Sequence, residues 1–255
     1  MYQTIFYKAE AGVAVITLNR PEVMNALSSH MRAEMLEAVL RAGAEARVLV
    51  ITGAGRAFCS GQDLGDASGA MDLERVLNEE YVPLLKAITD CPIPTISAVQ
   101  GAAAGAGANL ALAADVVIAA ETASFIQAFT RIGLVPDAGG SYWLPRQIGL
   151  ARAMGSVLFA DKVSARQAAD WGMIYECVPD EGFGAHWQAR ALALANGPTL
   201  AYRGVKTALR ASFGNDLDQQ LALEARLQGE CGATADFREG VAAFLEKRAA
   251  KFRGQ

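Results

Sequence analysis

Residues 93–115, IPTISAVQGAAAGAGANLALAAD, place an apolar β-branched run, a turn of glycine and alanine, and an apolar helical segment in direct succession. The run IPTISAV is bounded by Pro and Gly and is typical of a buried strand. The turn is predicted to lead into the N-terminus of a helix, where unpaired backbone N–H groups and the positive end of the helix dipole can meet a ligand oxygen. Close packing of the helix through small residues would leave the same pattern.

Further apolar runs flank this stretch and have the Val and Ile content of strands. These runs are residues 13–18, 48–52 and 116–119. Between the first two, Met31, Met35 and Val39 recur at a spacing of four, the period of an amphipathic helix. Ser28 or Ser29 would cap its N-terminus. The alternation of strand and helix predicts an α/β fold.

The chain after about Ala151 changes character and is predicted to be mostly helical. Ser164 and Gln167 have the spacing of a capping box, and Pro198 suits the first turn of a helix. We therefore divide the chain into a mixed α/β core, residues 1–195, and a strand-free helical region, residues 196–255. The segment GDASGAMD, residues 65–72, has the composition of a mobile loop.

Composition limits the classes of function. Of the 255 residues, 52% are hydrophobic and 20% are charged, which allows a substantial core, and the net charge of −4 argues against nucleic acid. The N-terminus lacks the pattern of a secretory signal, and no apolar run reaches the roughly 20 residues of a bilayer crossing. Four scattered cysteines predict free thiols, and two histidines do not suggest a metal centre. We expect a soluble, cytoplasmic protein that acts on a small molecule without a metal, a membrane or a nucleic acid.

Two other glycine turns carry candidate chemistry. The motif AFCSGQDL, residues 57–64, contains Gly61, which allows the neighbouring N–H groups to turn toward a ligand; an ordinary strand-to-helix loop has the same composition. The motif GLVPDAGGS, residues 133–141, contains Asp137. This carboxylate either caps the following helix or serves as a general base whose pKa is raised by burial.

Four motifs in order resemble the crotonase, or enoyl-CoA hydratase/isomerase, superfamily over essentially the whole chain. They are LNRPEVMNAL (residues 18–27), AFCSGQDL (57–64), GAAAGAGANLALAAD (101–115) and GLVPDAGG (133–140). The resemblance implies a spiral of ββα turns with a C-terminal helical region for trimerisation, and homotrimers that often pair into hexamers. It also implies an acyl-CoA thioester as substrate, with coenzyme A as part of that substrate and no separate cofactor.

The same resemblance implies the positions of the site residues. It places the two donors of an oxyanion hole on the backbone N–H groups of Gln62 and Ala106, where they would hold the charge that builds on the thioester oxygen. The implied substrate-binding residues lie in and around the motifs, and the last two of them would reach the ligand of a neighbouring subunit: Met24, Asn25, Ala26, Ser60, Gly61, Asp63, Leu64, Gly105, Phe129, Phe244 and Lys247.

The sequence departs from the ordinary hydratases of this family, which use two glutamates to activate water. The corresponding positions hold Asn109 and Phe129, and neither side chain is a base near neutral pH. Asp137 stands where several isomerases of the family carry their acid/base carboxylate. The motif PDAGGSYWLPR (residues 136–146), followed by LARAMG (150–155), resembles the ring-epoxide isomerases of this family. The resemblance implies an acyl-CoA isomerase in which Asp137 moves a proton, either to shift a double bond or to rearrange a ring-epoxide of phenylacetyl-CoA type. An enoyl-CoA hydratase that adds water to a 2-enoyl-CoA is the alternative.

Two other interpretations have weaker support. Residues 48–58, VLVITGAGRAF, and the pair Tyr202 and Lys206 resemble parts of a short-chain NAD(P) dehydrogenase. However, Ala57 and Cys59 occupy positions where such an enzyme needs glycines to approach a pyrophosphate. A CoA-binding protein without catalytic activity would also lack the two glutamates.

Overall fold

Two sheets form the framework of the computed structural model, which describes residues 2–66 and 72–255. The larger sheet contains, in spatial order, Ile5–Glu10 (β1), Val13–Leu18 (β2), Val48–Gly53 (β3), Thr95–Val99 (β5), Val116–Ala120 (β7) and Glu176–Val178 (β10). The smaller sheet contains Ala57–Cys59 (β4), Ala102–Ala104 (β6), Ser124–Ile126 (β8) and Val163–Ser164 (β9). Neighbouring strands are parallel, except that β1 pairs with β2, and β8 with β9, in antiparallel fashion.

Helices connect and cover these strands. The α-helices are Ser29–Glu45 (α1), Leu73–Val76 (α2), Val82–Thr89 (α3), Ala106–Leu112 (α4), Gly140–Leu158 (α5), Ala165–Asp170 (α6), Phe183–Ala195 (α7), Thr199–Ala211 (α8), Leu217–Gly232 (α9) and Ala235–Leu245 (α10). Short 3-10 turns occupy Pro21–Val23, Leu64–Asp66 and Ala128–Ile132. A π-helical turn, Leu77–Tyr81, joins α2 to α3, and the N–H of Val82 bonds to the carbonyl of Leu77.

A strand of the larger sheet is followed three times by a short strand of the smaller sheet and then by a helix. β3 leads to β4 and the α2–α3 segment, β5 leads to β6 and α4, and β7 leads to β8 and, after a 3-10 turn, α5. This repetition confirms the predicted α/β fold with its spiral of ββα turns.

The core lies on both faces of the larger sheet because successive strand residues point to opposite sides. Leu49 and Ile51 of β3 belong to the main cluster, which also contains Met31 of α1. Val48 and Val50 face a second cluster beneath α7. Each such side chain contributes about 1.5–3 kcal/mol when it is fully buried, which is why β-branched runs occupy these strands.

The sequence-based elements differ from the structure in several details. The region predicted to be mostly helical contains two strands, β9 and β10. Ser28 caps α1 and Ser164 caps α6 as predicted, whereas Pro198 is the N-cap residue of α8 and not part of its first turn. Most of the predicted mobile loop at residues 65–72 lies outside the described residues.

The last 60 residues form α8, α9 and α10 and no strand. Neither α8 nor α9 has a buried residue, and both expose large apolar side chains such as Leu209 and Leu217. Oligomerisation through this region stays a prediction.

The described part of the chain was also searched for two further features. None of its helices is both long enough and apolar enough to cross a bilayer. Its His, Cys, Asp and Glu side chains form no group of three that could hold a metal ion.

Candidate active site

The turn after β4 directs the N–H of Gln62 away from the neighbouring segment that contains Leu27. Leu27 donates its N–H to the carbonyl of Gly61 (2.7 Å) and accepts a hydrogen bond from the N–H of Asp63 (3.2 Å), so Leu27 and Gln62 form a parallel bridge. The N–H groups of successive extended residues point to opposite sides, so the Gln62 N–H faces away from Leu27. Gly61 has a φ of +100°, which glycine adopts without steric cost.

The second candidate donor is at the start of α4. Gly105 is the N-cap residue, with φ 52° and ψ −129°, and its carbonyl accepts the N–H groups of Ala108 (3.0 Å) and Asn109 (3.2 Å). Ala106 is the first helical residue, so its N–H has no partner within the helix. Among the backbone hydrogen bonds of residues 2–66 and 72–255 outside regular helices and strands, none uses the N–H of Ala106 or of Gln62 as its donor.

These two turns are in contact. A Cβ atom placed on Gly61 would lie 2.8 Å from the carbonyl oxygen of Ala104 and 3.4 Å from the nitrogen of Ala106. They meet because β4 and β6 are parallel neighbours, so their carboxyl ends lie at one edge of the smaller sheet. The structure therefore brings the neighbourhoods of both predicted donors together. Two N–H groups presented in this way can stabilise negative charge on a carbonyl oxygen.

Asp137 is a partly buried carboxyl in the turn before α5. Its Oδ1 is buried without a hydrogen-bond partner among the described residues. Burial raises the pKa of Asp137 to about 6, and a hydrogen bond that its own backbone N–H donates to the carboxyl opposes this effect. The N-cap residue of α5 is Gly139, with no side-chain cap, so Asp137 does not cap this helix. A carboxyl that titrates near neutral pH is suited to accept a proton and return it.

The helix that begins at Ala106 also contacts the turn of Asp137. Asn109 on α4 donates its Nδ2 to the carbonyl oxygen of Asp137 (2.8 Å). Gln127 donates its Nε2 to the Oδ1 of Asn109 (2.8 Å), and both amide side chains are buried. Gln127 is not among the predicted site residues, because nothing in its sequence neighbourhood distinguishes it from an ordinary loop residue.

A buried polar cluster lies behind Gln62. Arg32 is only 2% exposed and donates to the Oε1 of Gln62 (2.8 Å), while its other terminal nitrogen pairs with Glu80 (2.6 Å). The hydroxyl of Tyr81 donates to the same Gln62 oxygen (2.6 Å). Burial raises the pKa of Tyr81, Arg32 opposes this effect, and the charge of Asp137 adds to it. Tyr81 therefore contacts Gln62, and its pKa depends on the charge of Asp137. No sequence motif indicates either interaction.

The segments predicted to contact CoA lie side by side. Ser60 donates its N–H to the carbonyl of Met24 (3.0 Å), which joins residues 24–26 to residues 60–64. Met24 and Asn25 adopt left-handed conformations, with φ of 53° and 56°. The buried side chain of Asn25 donates to backbone carbonyls of the β3–β4 connection and β4, namely those of Ala54, Ala57 and Phe58. Asn25 is 0% exposed as a whole residue, and its N–H and carbonyl are also bonded, to Arg20 and Cys59, so it shapes this segment and is not itself open to a ligand as predicted.

The other predicted residues of these segments have different environments. Ala26 is buried, Leu64 is exposed, and Asp63 pairs with Arg20 (2.7 Å). The ion pair holds Asp63 at the edge of the candidate site. These positions are compatible with a ligand that runs along the surface of the two segments.

Phe129 lies against the turn of Gly105, whereas Phe244 and Lys247 lie elsewhere on the protomer. The ring of Phe129 is buried, and a Cβ on Gly105 would be 3.9 Å from its Cζ atom. Phe244 is at the end of α10 and is 82% exposed, and Lys247 follows in a left-handed conformation with φ 54°. Both residues are exposed at the surface of the protomer. Their contact with a neighbouring subunit's ligand stays a prediction.

The pair that resembles a dehydrogenase motif has a structural role. Lys206 pairs with Asp115 (2.8 Å) and donates to the carbonyls of Cys91 (2.7 Å) and Ile93 (2.8 Å). The hydroxyl of Tyr202 packs against Gly197. These contacts fasten α8 to the core, so the ammonium group is occupied and does not serve as a catalytic partner of Tyr202.

Cys59 is expected to be inert toward alkylation. It is fully buried, and burial raises the pKa of its thiol to about 12, whereas only the thiolate reacts. Iodoacetamide at pH 8 should therefore modify Cys231, which is partly exposed, and leave Cys59 unmodified in the native protein. Peptide mass spectrometry measures both, and equal labelling of the two cysteines would contradict the expectation.

Comparison with known proteins gives consistent results over the whole chain. The family model described as "Enoyl-CoA hydratase/isomerase" matches residues 8–255. The chain is 64% identical to a "probable enoyl-CoA hydratase" from Rhodobacter capsulatus, with 100% of this chain and 99% of that protein covered. It is 44% identical to the 1,2-epoxyphenylacetyl-CoA isomerase of Escherichia coli, with both chains fully covered. A crystal structure of an enoyl-CoA hydratase from Bacillus anthracis superimposes with a TM-score of 0.92 at 32% identity and covers 99% of this chain and 100% of the other.

The names of these relatives do not separate two reactions. A relative named 1,2-epoxyphenylacetyl-CoA isomerase is 44% identical, but the relative named a probable enoyl-CoA hydratase is more similar, at 64% identity, so the predicted closer similarity to the ring-epoxide isomerases is not what these relatives show. The site geometry must therefore distinguish an isomerase from a hydratase.

Proposed function

The chain belongs to the enoyl-CoA hydratase/isomerase family, and from this premise we propose that it is an acyl-CoA isomerase with Asp137 as its single acid/base residue. The observation that carries the proposal is the carboxyl of Asp137, with a buried Oδ1 that has no partner among the described residues and a pKa near 6. It stands in a site where Asn109 and Phe129 occupy the positions of the two glutamates of hydratases. The alternative, a hydratase, would need another group to activate water.

In the proposed reaction, the N–H groups of Gln62 and Ala106 bind the thioester oxygen. The carboxylate of Asp137 takes a proton from one carbon of the acyl group, and the electron pair of the broken C–H bond spreads into the carbonyl as a dienolate. The same carboxyl then returns the proton to another carbon, so that substrate and product have the same composition. Fixed donors favour the charged intermediate because they need no reorganisation.

The substrate class that we propose is an acyl-CoA with an unsaturated chain or a ring-epoxide of phenylacetyl-CoA type. The relative that is named 1,2-epoxyphenylacetyl-CoA isomerase supports the second choice, and a relative from Streptococcus mutans, 34% identical and named trans-2-decenoyl-[acyl-carrier-protein] isomerase, supports double-bond migration. Both reactions fit one carboxyl and two backbone donors.

We further propose a cytoplasmic homotrimer or hexamer that uses no separate cofactor. The apolar side chains exposed on α8 to α10 support this assembly, because an exposed patch of this kind is typical of an interface. In such an assembly Phe244 and Lys247 would contact the CoA of a neighbouring subunit.

A panel of three thioesters tests the proposed function. Crotonyl-CoA, 3-hexenoyl-CoA and epoxyphenylacetyl-CoA would each be incubated with the protein, and isomers and hydrates would be separated by liquid chromatography and quantified by mass spectrometry. We expect isomers from the second or third thioester and little hydrate from the first. Hydration of crotonyl-CoA at ordinary enzymatic rates would favour the hydratase alternative, and tight binding without any product would favour a non-catalytic protein.

A further inference from the structure

The amide of Asn109 has a fixed direction. The backbone carbonyl of Asp137 can only accept, so the group of Asn109 that faces it at 2.8 Å must be the Nδ2 donor. The Oδ1 of Asn109 then faces Gln127, which must present its own Nε2, also at 2.8 Å. The result is a buried chain of two donations, from Gln127 to Asn109 and from Asn109 to the main chain of Asp137.

The turn that this chain holds is intrinsically unfavourable. Ala138, directly after Asp137, has φ 48°, a left-handed conformation that costs an alanine about 1 kcal/mol or more. Gly139 follows with φ 83°, and the N–H of Gly140 is the second donor to the Asp137 carbonyl (2.8 Å). A Cβ on Gly140 would collide with the side-chain nitrogen of Asn109, so the amide lies directly against the turn. Such a turn persists only when its surroundings hold it.

One helix therefore carries both halves of the site. Ala106 and Asn109 are one turn apart on α4, so the first presents an oxyanion N–H while the second holds the main chain of Asp137. We infer that Asn109, supported by Gln127, is a positioning residue that fixes the carboxyl of Asp137 relative to the oxyanion donor of Ala106. The expected change in kcat rests on the proposed function. The expected change in the position and pKa of the Asp137 carboxyl does not.

A glutamate at position 109 would not convert this site into that of a hydratase. Its carboxylate has no donor for the carbonyl of Asp137, and it would place a second acceptor against that oxygen. Asn109→Glu is therefore expected to lose isomerase activity without gaining hydration of crotonyl-CoA. Hydration at ordinary rates by this variant, with isomerase activity retained, would overturn the inference.

Asn109→Leu tests the inference directly, since leucine is similar in size, uncharged and without a donor. We expect kcat for the isomerised thioester to fall about 10- to 100-fold with little change in KM, because a misplaced carboxyl affects the proton transfer more than the binding of CoA. In a ¹³C NMR titration of labelled aspartate, with Asp137→Asn for assignment, the pKa of Asp137 should move down from about 6 toward its ordinary value as water reaches the released turn. The charge of Asp137 contributes to the raised pKa of Tyr81, which links these two groups, so Tyr81→Phe is titrated in parallel.

Two further variants keep the outcome decisive. Ile88→Ala removes a fully buried side chain of α3, and it should lower the melting temperature while leaving kcat and the titration of Asp137 unchanged. Gln127→Leu should change kcat and the pKa of Asp137 in the same direction as Asn109→Leu, but by a smaller amount. If Asn109→Leu does not fold, Gln127→Leu is the variant that tests the inference. An unchanged pKa of Asp137 and an unchanged kcat in either folded variant would overturn the inference. Absence of isomerase turnover by the wild-type protein would instead refute the proposed function, and the NMR titration would still test the positioning role.

Discussion

Asp137→Asn is expected to lower kcat for isomerisation by about 1,000-fold, within the 10²- to 10⁴-fold range of a positioned general base. An amide cannot accept the proton from the substrate, and no other described carboxyl has the same buried, unpartnered oxygen. Binding of an unreactive acyl-CoA thioester, measured by calorimetry, should change little because the donors belong to the main chain. A variant with full turnover would refute the role of Asp137.

The pH dependence of the wild-type enzyme should match this role. The base form of Asp137 is its carboxylate, and burial places its pKa at about 6. The kcat/KM for isomerisation should therefore rise with pH through about 6 and level off above it. A rate that is flat between pH 5 and pH 8 would contradict the assignment of Asp137 as the base.

The same substitution should make the protein more stable at neutral pH. The pKa of Asp137 is raised in the folded state to about 6, so its contribution to stability is fully present below its unfolded pKa of roughly 3.9 and is lost as the pH rises through 6. At pH 7.5 we expect Asp137→Asn to gain about 1 kcal/mol, allowing for solvent screening of a partly exposed group. The gain should shrink toward pH 4. Loss of activity together with a higher melting temperature would distinguish a lost base from general damage.

Gly61→Ala is expected to lower kcat/KM about 10²- to 10³-fold, the cost of losing one oxyanion donor. The new Cβ would lie 2.8 Å from the carbonyl oxygen of Ala104, and residue 61 has a φ of +100°. Backbone atoms cannot yield as a flexible side chain would, so the turn that carries the Gln62 N–H must shift. Steady-state kinetics and a crystal structure of the variant would measure both effects.

Gly182→Ala is the matched control for this prediction. Gly182 also has a positive φ, +84°, but a Cβ there meets nothing within 4 Å, and the residue precedes α7. Gly182→Ala should lose stability through backbone strain alone, the strain that it shares with Gly61→Ala, and keep full activity. If Gly61→Ala and Gly182→Ala had equal kcat/KM, the oxyanion role of the Gly61 turn would be refuted.

The long strands were predictable because they bury β-branched residues on both faces. The runs at residues 13–18 and 48–52 correspond closely to β2 and β3. The strands of the smaller sheet were not predictable, since each has only two or three residues and β6 consists of alanine alone. Their pairing comes from the parallel larger sheet that precedes each of them, which is a tertiary effect and leaves no local pattern.

The site was predictable to the extent that it is built from backbone turns. Gly61 and Gly105 are marked in the sequence because their conformations require or favour glycine. Arg32 and Gln127 were not predictable, because an arginine on an amphipathic helix and a glutamine in a loop are ordinarily exposed. Only contacts across the chain, such as Arg32 with Glu80 48 residues later, make them internal.

The π-helical turn at Leu77–Tyr81 makes the contacts behind Gln62 depend on chain length. Such a turn holds one residue more than an α-helical turn, and Tyr81, its last residue, contacts Gln62. Removing a single residue here would let α2 and α3 merge into one regular helix, and the phenol would rotate by about 100° away from the oxyanion turn. A one-residue insertion or deletion at this point would therefore change what supports the side chain of Gln62 from behind, while the glycine turns at Gly61 and Gly105 keep their own sequence.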